Sequence, residues 1–276
     1  FDAKALLFRQ LLASDKTAVI NEDDKRIKVF GEELKAMGHS VVTLGVSGEP
    51  NIKLKKQSFD SSGQNVFFEY DGKLYQKRLN LIGGFQAQNV LMAAALVISL
   101  GSDPQDVFSV LHNLLTVKGR MELAASRANG ANVFIDYAHT PDAIETAITS
   151  LRPHVFGRII AVIGAGGDRD QSKRPLMGLA ASKTADVVIV TDDNPRSEDP
   201  AKIRQMIIKG IGLGISHEFG DRAEAILRAV DMLDVGDALL ICGKGHETGQ
   251  VIGEDTLPFD DAEQASISVE ALDGVL

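Results

Sequence analysis

The sequence predicts an α/β protein in which a smaller part of mixed pattern precedes a mostly parallel sheet covered by helices on both faces. Three observations predict it. From about Val117 onward, short continuous apolar runs alternate with helical patterns, as expected of strands buried on both faces. Several of those runs end in turns rich in Gly, Asp, Asn and Arg. Between 51 and 79 the hydrophobic period changes to two, with Asp71-Gly72 as a hairpin signal.

Taken in order, apolar residues Leu7, Leu11 and Leu12 on one face predict a helix over 1–13. A strand at 17–21, a helix at 26–37 and a strand at 40–46 follow, then antiparallel strands at 51–59, 64–70 and 73–79. After Gly83-Gly84 a helix runs through Leu100, and another starts at Pro104 with Asp103 as its N-cap. Strands are then expected at 121–125, 133–137, 159–164, 186–191 and 238–242. Helices are expected at 141–153, 173–184, 200–212, 221–232 and 261–272, the first with Thr140 as N-cap and Pro141 at its first position. The domain boundary is placed near 116–119, giving domains 1–117 and 118–276.

The chain has 276 residues, 44% hydrophobic and 24% charged, enough for two domains with real cores. A formal charge of -9 argues against a general nucleic-acid or anionic-membrane surface and for small-molecule partners. The single cysteine, Cys242, lies in an apolar strand and reads as a core residue of a protein at home in a reducing compartment. The longest apolar helix candidate, Val90 to Leu100, falls far short of a membrane span. The chain opens on Phe1 and enters a helix at once, so it is expected to lack its front.

The chemistry-bearing residues lie after strands, where ligands bind in open α/β sheets. Asp192-Asp193-Asn194-Pro195-Arg196 sets two carboxylates, an amide and a guanidinium on one turn, a set suited to a ligand with both an ammonium and a carboxylate. Gly164-Ala165-Gly166-Gly167-Asp168-Arg169-Asp170 lacks GxGxxG spacing but permits a tight turn that points Arg169 into the crevice. Asp136-Tyr137-Ala138-His139-Thr140-Pro141 ends another strand, and Gly243-Lys244-Gly245-His246-Glu247 follows the last. The latter lacks GxxxxGK[ST] spacing and is not read as a phosphate cradle. Each turn alone is a weak signal; four on one rim are not.

In this order, Gly119-Arg120-Met121-Glu122, DYAHTP, GGDRDQSKRPLMG from Gly166, DDNPR and GKGHE resemble the carboxy-terminal domain of the Mur ligase family, of its meso-diaminopimelate-adding kind. Upstream, Gly84 to Asn89 is similar to the start of a helix in the family's central ATP-binding domain, with Gln86 where asparagine is usual. Phe1 to Phe8 resembles the segment with a carbamylated lysine. The resemblance covers essentially the whole chain, but a GxxxxGK[ST] motif occurs nowhere in it. It implies the remainder of a central ATP-binding domain followed by a Rossmann-like carboxy-terminal domain.

The resemblance further implies cytoplasmic, ATP-dependent amide formation in peptidoglycan precursor synthesis, joining meso-diaminopimelate to a UDP-N-acetylmuramoyl dipeptide through an acyl phosphate, with Mg²⁺ as cofactor. Lys4 would be the carbamylated residue, catalytic and on the metal side through oxygen. Asn89, Arg120 and Asp136 would meet ATP. Arg169, Asp193, Asn194, Pro195, Arg196, Gly243 and Glu247 would hold diaminopimelate. The stretch by itself is expected to be silent, because a phosphate-binding loop is absent from it. Two other readings stay open: another amide ligase of the superfamily, such as a folylpolyglutamate synthetase, and a binding module without activity.

Overall fold

A computed structural model describes residues 1–212 and 214–274. The chain divides into two compact units, Phe1–Leu115 and Thr116–Leu276.

The first unit opens with helix α1 (Asp2–Leu6), which passes into a π-helical turn, Leu7–Leu11, closed by the Leu12 N–H on the Leu7 carbonyl. This corrects the expected uniform helix over 1–13. The buried face is Ala5 with Phe8 and Leu12, set against Phe30 and Leu34, while Leu7 and Leu11 stay exposed. Ala5, Phe8 and Leu12 stand three and four residues apart and so share a face, a different one from that of Leu7 and Leu11.

A five-stranded sheet follows, in the order β1 (Thr17–Asn21), β2 (Ser40–Gly45), β3 (Ile52–Asp60), β4 (Gly63–Tyr70) and β5 (Lys73–Leu79). β3, β4 and β5 are antiparallel, as the period of two predicts, but β3 also pairs parallel with β2, so the sheet is mixed. Helix α2 (Lys25–Ala36) connects β1 to β2 and is capped by the Asp24 carboxylate. Helix α3 (Gln86–Ser99) buries Ala87, Val90, Leu91, Ala94 and Ala95 in the core with Val66, Phe68 and Leu79. Helix α4 (Pro104–Ser109) carries Phe108 into the same core and is capped by Asp103.

The second unit is built on a six-stranded sheet of β6 (Arg120–Ser126), β7 (Asn132–Asp136), β8 (Ile159–Ile163), β9 (Val187–Val190), β10 (Ile215–Glu218) and β11 (Ala238–Cys242). Its order is β10-β9-β8-β11-β7-β6, parallel except for the pairing of β6 with β7. Helices α5 (Pro141–Leu151), α6 (Lys173–Thr184), α7 (Pro200–Ile208), α8 (Arg222–Asp231) and α9 (Asp261–Leu272) cover it. One face joins Val133, Ile135, Ile160, Val162, Ile189 and Ile241 to α8 and α9 through Ile226, Val230, Ala265 and Val269. The alternate residues Phe134, Ala161, Val188 and Leu240 are buried as well, as are Ile148 of α5, Met177 of α6 and Ile203 of α7. Strands buried on both sides read as unbroken apolar runs, which is why these were legible.

Three strands were not read from the sequence. β10 is an edge strand exposed along its length, and β12 (Gly249–Ile252) pairs antiparallel with β13 (Asp255–Pro258) in a mostly exposed hairpin. None has a buried face to impose a pattern. No described helix is long and apolar enough to cross a membrane.

Candidate functional site

β11 inserts between β7 and β8, so the turn after it meets the turns that follow both neighbours. Together with the turn after β9, those turns line a cavity of about 260 Å³ whose lining includes Tyr137, His139, Gly164, Gly166, Arg169, Lys173, Asp193, Asn194, Arg196, Gly243 and Glu247. Of the residues expected to hold diaminopimelate, Arg169, Asp193, Asn194, Arg196, Gly243 and Glu247 therefore share one wall. Pro195 is buried in the turn between them and does not line the cavity.

Close approach of backbones sets this geometry. Gly167 lies so near the next turn that a Cβ there would sit 1.9 Å from the Pro195 carbonyl oxygen. Gly243 has φ +114, and a Cβ on it would meet Asp193 Oδ2 at 2.6 Å.

The two carboxylates of the Asp192-Asp193 pair separate. Asp192 turns to Arg204, whose Nη1 lies 2.5 Å from its Oδ1, and burial raises the Asp192 carboxyl against the pull of that guanidinium. Asp193 faces the cavity, with Oδ1 accepting the Asn194 N–H at 2.7 Å. Arg196 adopts a left-handed backbone, φ +52, rare for a residue with a side chain. The β12–β13 hairpin fixes it there: Arg196 N–H donates to Val251, and Gly253 N–H donates to the Arg196 carbonyl. Its guanidinium reaches the Gly167 carbonyl at 2.8 Å from Nη1. The Arg169 guanidinium is exposed and donates to the carbonyl of Asp168.

Two residues that sequence reasoning left aside hold the site from behind. Lys244 is fully buried; its Nζ donates to Asn194 Oδ1 at 3.0 Å and to the Gly249 carbonyl, and lies 3.6 Å from Glu247 Oε2. Burial lowers its pKa, opposed by Asp193 and Glu247. Arg174, 1% exposed, makes paired bonds of 2.8 Å to the carboxylate of Glu198 and also donates to the Gly166 carbonyl. Both charges stand beside turn residues of the recognised motifs, the one signal that pointed to them.

The nucleotide-side expectations fall in both units. Arg120 is exposed, its guanidinium 5.0 Å from the centre of the Tyr137 ring. Asp136 is buried and accepts the N–H groups of Met121 and Ala138 at 2.9 Å, and burial raises its pKa. His139 touches the Tyr137 ring edge-on, with Nδ1 2.8 Å from the Tyr137 carbonyl oxygen. In the first unit Asn89 is exposed and donates to Gln86 Oε1 at 3.1 Å. Lys4 is exposed beside a largely apolar cavity that includes Phe1, Phe8 and Phe30. No group of three or more His, Cys, Asp or Glu able to hold a metal occurs among the described residues. Cys242 is wholly buried and its thiol is pushed up by burial, as a core residue requires.

The Mur ligase middle domain matches residues 1–97, and the Mur ligase glutamate ligase domain matches residues 119–245. The chain is 45% identical over 273 residues to the UDP-N-acetylmuramoyl-L-alanyl-D-glutamate--2,6-diaminopimelate ligase of Bradyrhizobium diazoefficiens, covering 97% of this chain and 55% of that one. It is 45% identical over 271 residues to the ligase of the same name from Zymomonas mobilis, with the same coverage. A solved structure of a ligase of that name superposes with a TM-score of 0.67 at 32% identity, over 98% of this chain and 56% of the other. Folylpolyglutamate synthase of Mycobacterium tuberculosis, complexed with ADP, shares the fold at 21% identity and a TM-score of 0.67, over 83% and 54% of the two chains. The chain belongs to the Mur ligase family, whose middle and glutamate ligase domains it carries. It spans about half the length of the curated relatives it matches.

Proposed function

We propose that this stretch belongs to an ATP-dependent ligase that joins meso-diaminopimelate to UDP-N-acetylmuramoyl-L-alanyl-D-glutamate in peptidoglycan precursor synthesis, in the cytoplasm. The observation that carries the reading is the single cavity lined at once by Arg169 and Arg196 and by Asp193 and Glu247. One end of diaminopimelate offers a carboxylate to the arginines, whose planar forks match it, and an ammonium to the acids. The other end leaves its amine free to react. The names of the relatives support this substrate.

In such a reaction the peptide carboxylate takes the γ-phosphoryl group of ATP and releases ADP. The amine then attacks the acyl phosphate, forming the amide and releasing phosphate. On this reading Arg120 faces the phosphates, Asn89 the adenine and Asp136 the ribose. The two backbone donors that Asp136 already satisfies make it a brace for the turn as well. Lys4 is the carbamylated residue and would offer oxygen to Mg²⁺, the ligand type that ion prefers. The described residues include no cluster of three or more His, Cys, Asp or Glu that could hold the ion by itself.

The test is phosphate release by the full-length protein in the presence of ATP and the dipeptide acceptor, with diaminopimelate, lysine or glutamate offered in turn. Release that requires diaminopimelate is expected. Release that needs a folate acceptor with glutamate instead would make the protein a ligase of the folylpolyglutamate kind.

A further inference from the structure

Lys244 has no part in the reading above, yet a lysine is seldom removed completely from water without a matched set of partners. Its partners bear on the cavity wall. Asn194 Oδ1 accepts from both Lys244 Nζ and the Val251 N–H, each at 3.0 Å. Two donors on one atom of an amide permit a single orientation, with oxygen toward the lysine and nitrogen away. The nitrogen then donates to Glu247 Oε2 at 3.0 Å, which ties the carboxylate that lines the cavity. The same ammonium holds the Gly249 carbonyl, where β12 begins.

We propose that Lys244 is a positioning residue for amino-acid binding, acting through the amide of Asn194 to hold the Glu247 carboxylate toward the ammonium of the incoming amino acid. The proposal rests on the reading of the cavity as an amino-acid site. A neutral, bondless side chain at 244 leaves the Asn194 oxygen with the Val251 N–H alone and takes away the ammonium 3.6 Å from Glu247 Oε2, so that the amide and the carboxylate it ties are held less firmly. Affinity for the amino acid should fall while the use of ATP does not.

The experiment measures kcat and KM for diaminopimelate and for ATP in the full-length protein carrying Lys244→Met, Lys244→Gln, Glu247→Gln, or Lys244→Met with Glu247→Gln. In Lys244→Met the KM for diaminopimelate should rise about tenfold or more, with kcat and the KM for ATP within about threefold of wild type. Lys244→Gln keeps an N–H donor for Asn194 and should recover part of the loss. With Glu247 already replaced, Lys244→Met should raise the KM less than about threefold further, since the two residues act in one chain. An unchanged KM, a rise that adds fully to that of Glu247→Gln, or an equal rise for ATP would overturn the proposal. So would failure of both Lys244 variants to fold, which would make the lysine purely structural. If wild type does not use diaminopimelate, the reading of the cavity falls and the proposal with it; if wild type does and the variants keep its KM, the positioning role alone falls.

Discussion

Arg222 and Asp261 form a wholly buried ion pair behind the site, Nε and Nη2 each 2.7 Å from a carboxylate oxygen, and Nη2 also reaches the Cys242 carbonyl at 3.0 Å. The pair joins the first residues of α8 and α9 to the end of β11, one residue before the turn that carries Gly243 and Glu247. Removing one partner strands the other charge in the core. Arg222→Leu or Asp261→Ala should each lower stability by about 3 to 5 kcal/mol, whereas an apolar replacement of both should lose less than the sum. Urea denaturation of the single and double variants checks this, and additive losses would show that the two charges do not depend on each other.

Gly167 tests the contact between two turns. Its Cβ would fall 1.9 Å from the Pro195 carbonyl oxygen, so Gly167→Ala must push the Asp193-to-Arg196 turn outward. We expect a loss of about 1 to 3 kcal/mol in stability, as for other overpacked sites. Diaminopimelate KM should rise in the same variant. A normal KM in a folded Gly167→Ala protein would separate this contact from the binding wall.

Arg196 tests specificity. Lysine lacks the distal carboxylate of diaminopimelate, so with lysine bound the half-buried Arg196 guanidinium keeps its Gly167 carbonyl but loses its charged partner, and a site built to bond a group rejects the analogue without it. Arg196→Ala removes both the attraction and the penalty. The diaminopimelate-to-lysine ratio of kcat/KM should therefore narrow by about 10² or more. Paired kinetics of wild type and variant decide it, and an unchanged ratio would pass the role to Arg169.

The Arg174–Glu198 pair gives a pH signature. Its hydrogen-bonded guanidinium holds the Glu198 carboxyl near about 2, below its ordinary 4.5. A depressed carboxylate means that the unfolded chain binds more protons between these values. The pair's stabilisation is thus fully present above 4.5 and is lost as pH falls toward about 2. The stability gap between wild type and Glu198→Gln should be constant above about pH 5 and close progressively below it. Denaturation curves from pH 6 downward would reveal a gap that persists in acid, were the pairing absent in solution.

Lys4 tests the carbamate. In the full-length protein Lys4→Ala should depress activity strongly, by about 10² or more, and short carboxylates occupying the vacated space should restore part of it. Full activity in the variant would leave Lys4 as an ordinary exposed lysine.

The sequence alone determined the layered α/β plan, because strands buried on both faces must be apolar without interruption, as Ile159 to Ile163 and Ala238 to Cys242 are. It also set Arg169, Asp193, Arg196 and Glu247 after such strands, where open parallel sheets bind ligands, and these four line one cavity. Tertiary structure decided what stands behind those residues. That Asp192 turns away to Arg204 while Asp193 faces the cavity depends on contacts across elements, invisible in two adjacent identical letters. The buried cations Lys244, Arg174 and Arg222 read in sequence as ordinary polar residues, because burial of a charge is settled by partners distant in the chain. The β12–β13 hairpin, which fixes the left-handed Arg196, has no buried face and so left no periodic trace. Its position follows from backbone hydrogen bonds to a turn more than fifty residues earlier, a relation that local pattern does not encode.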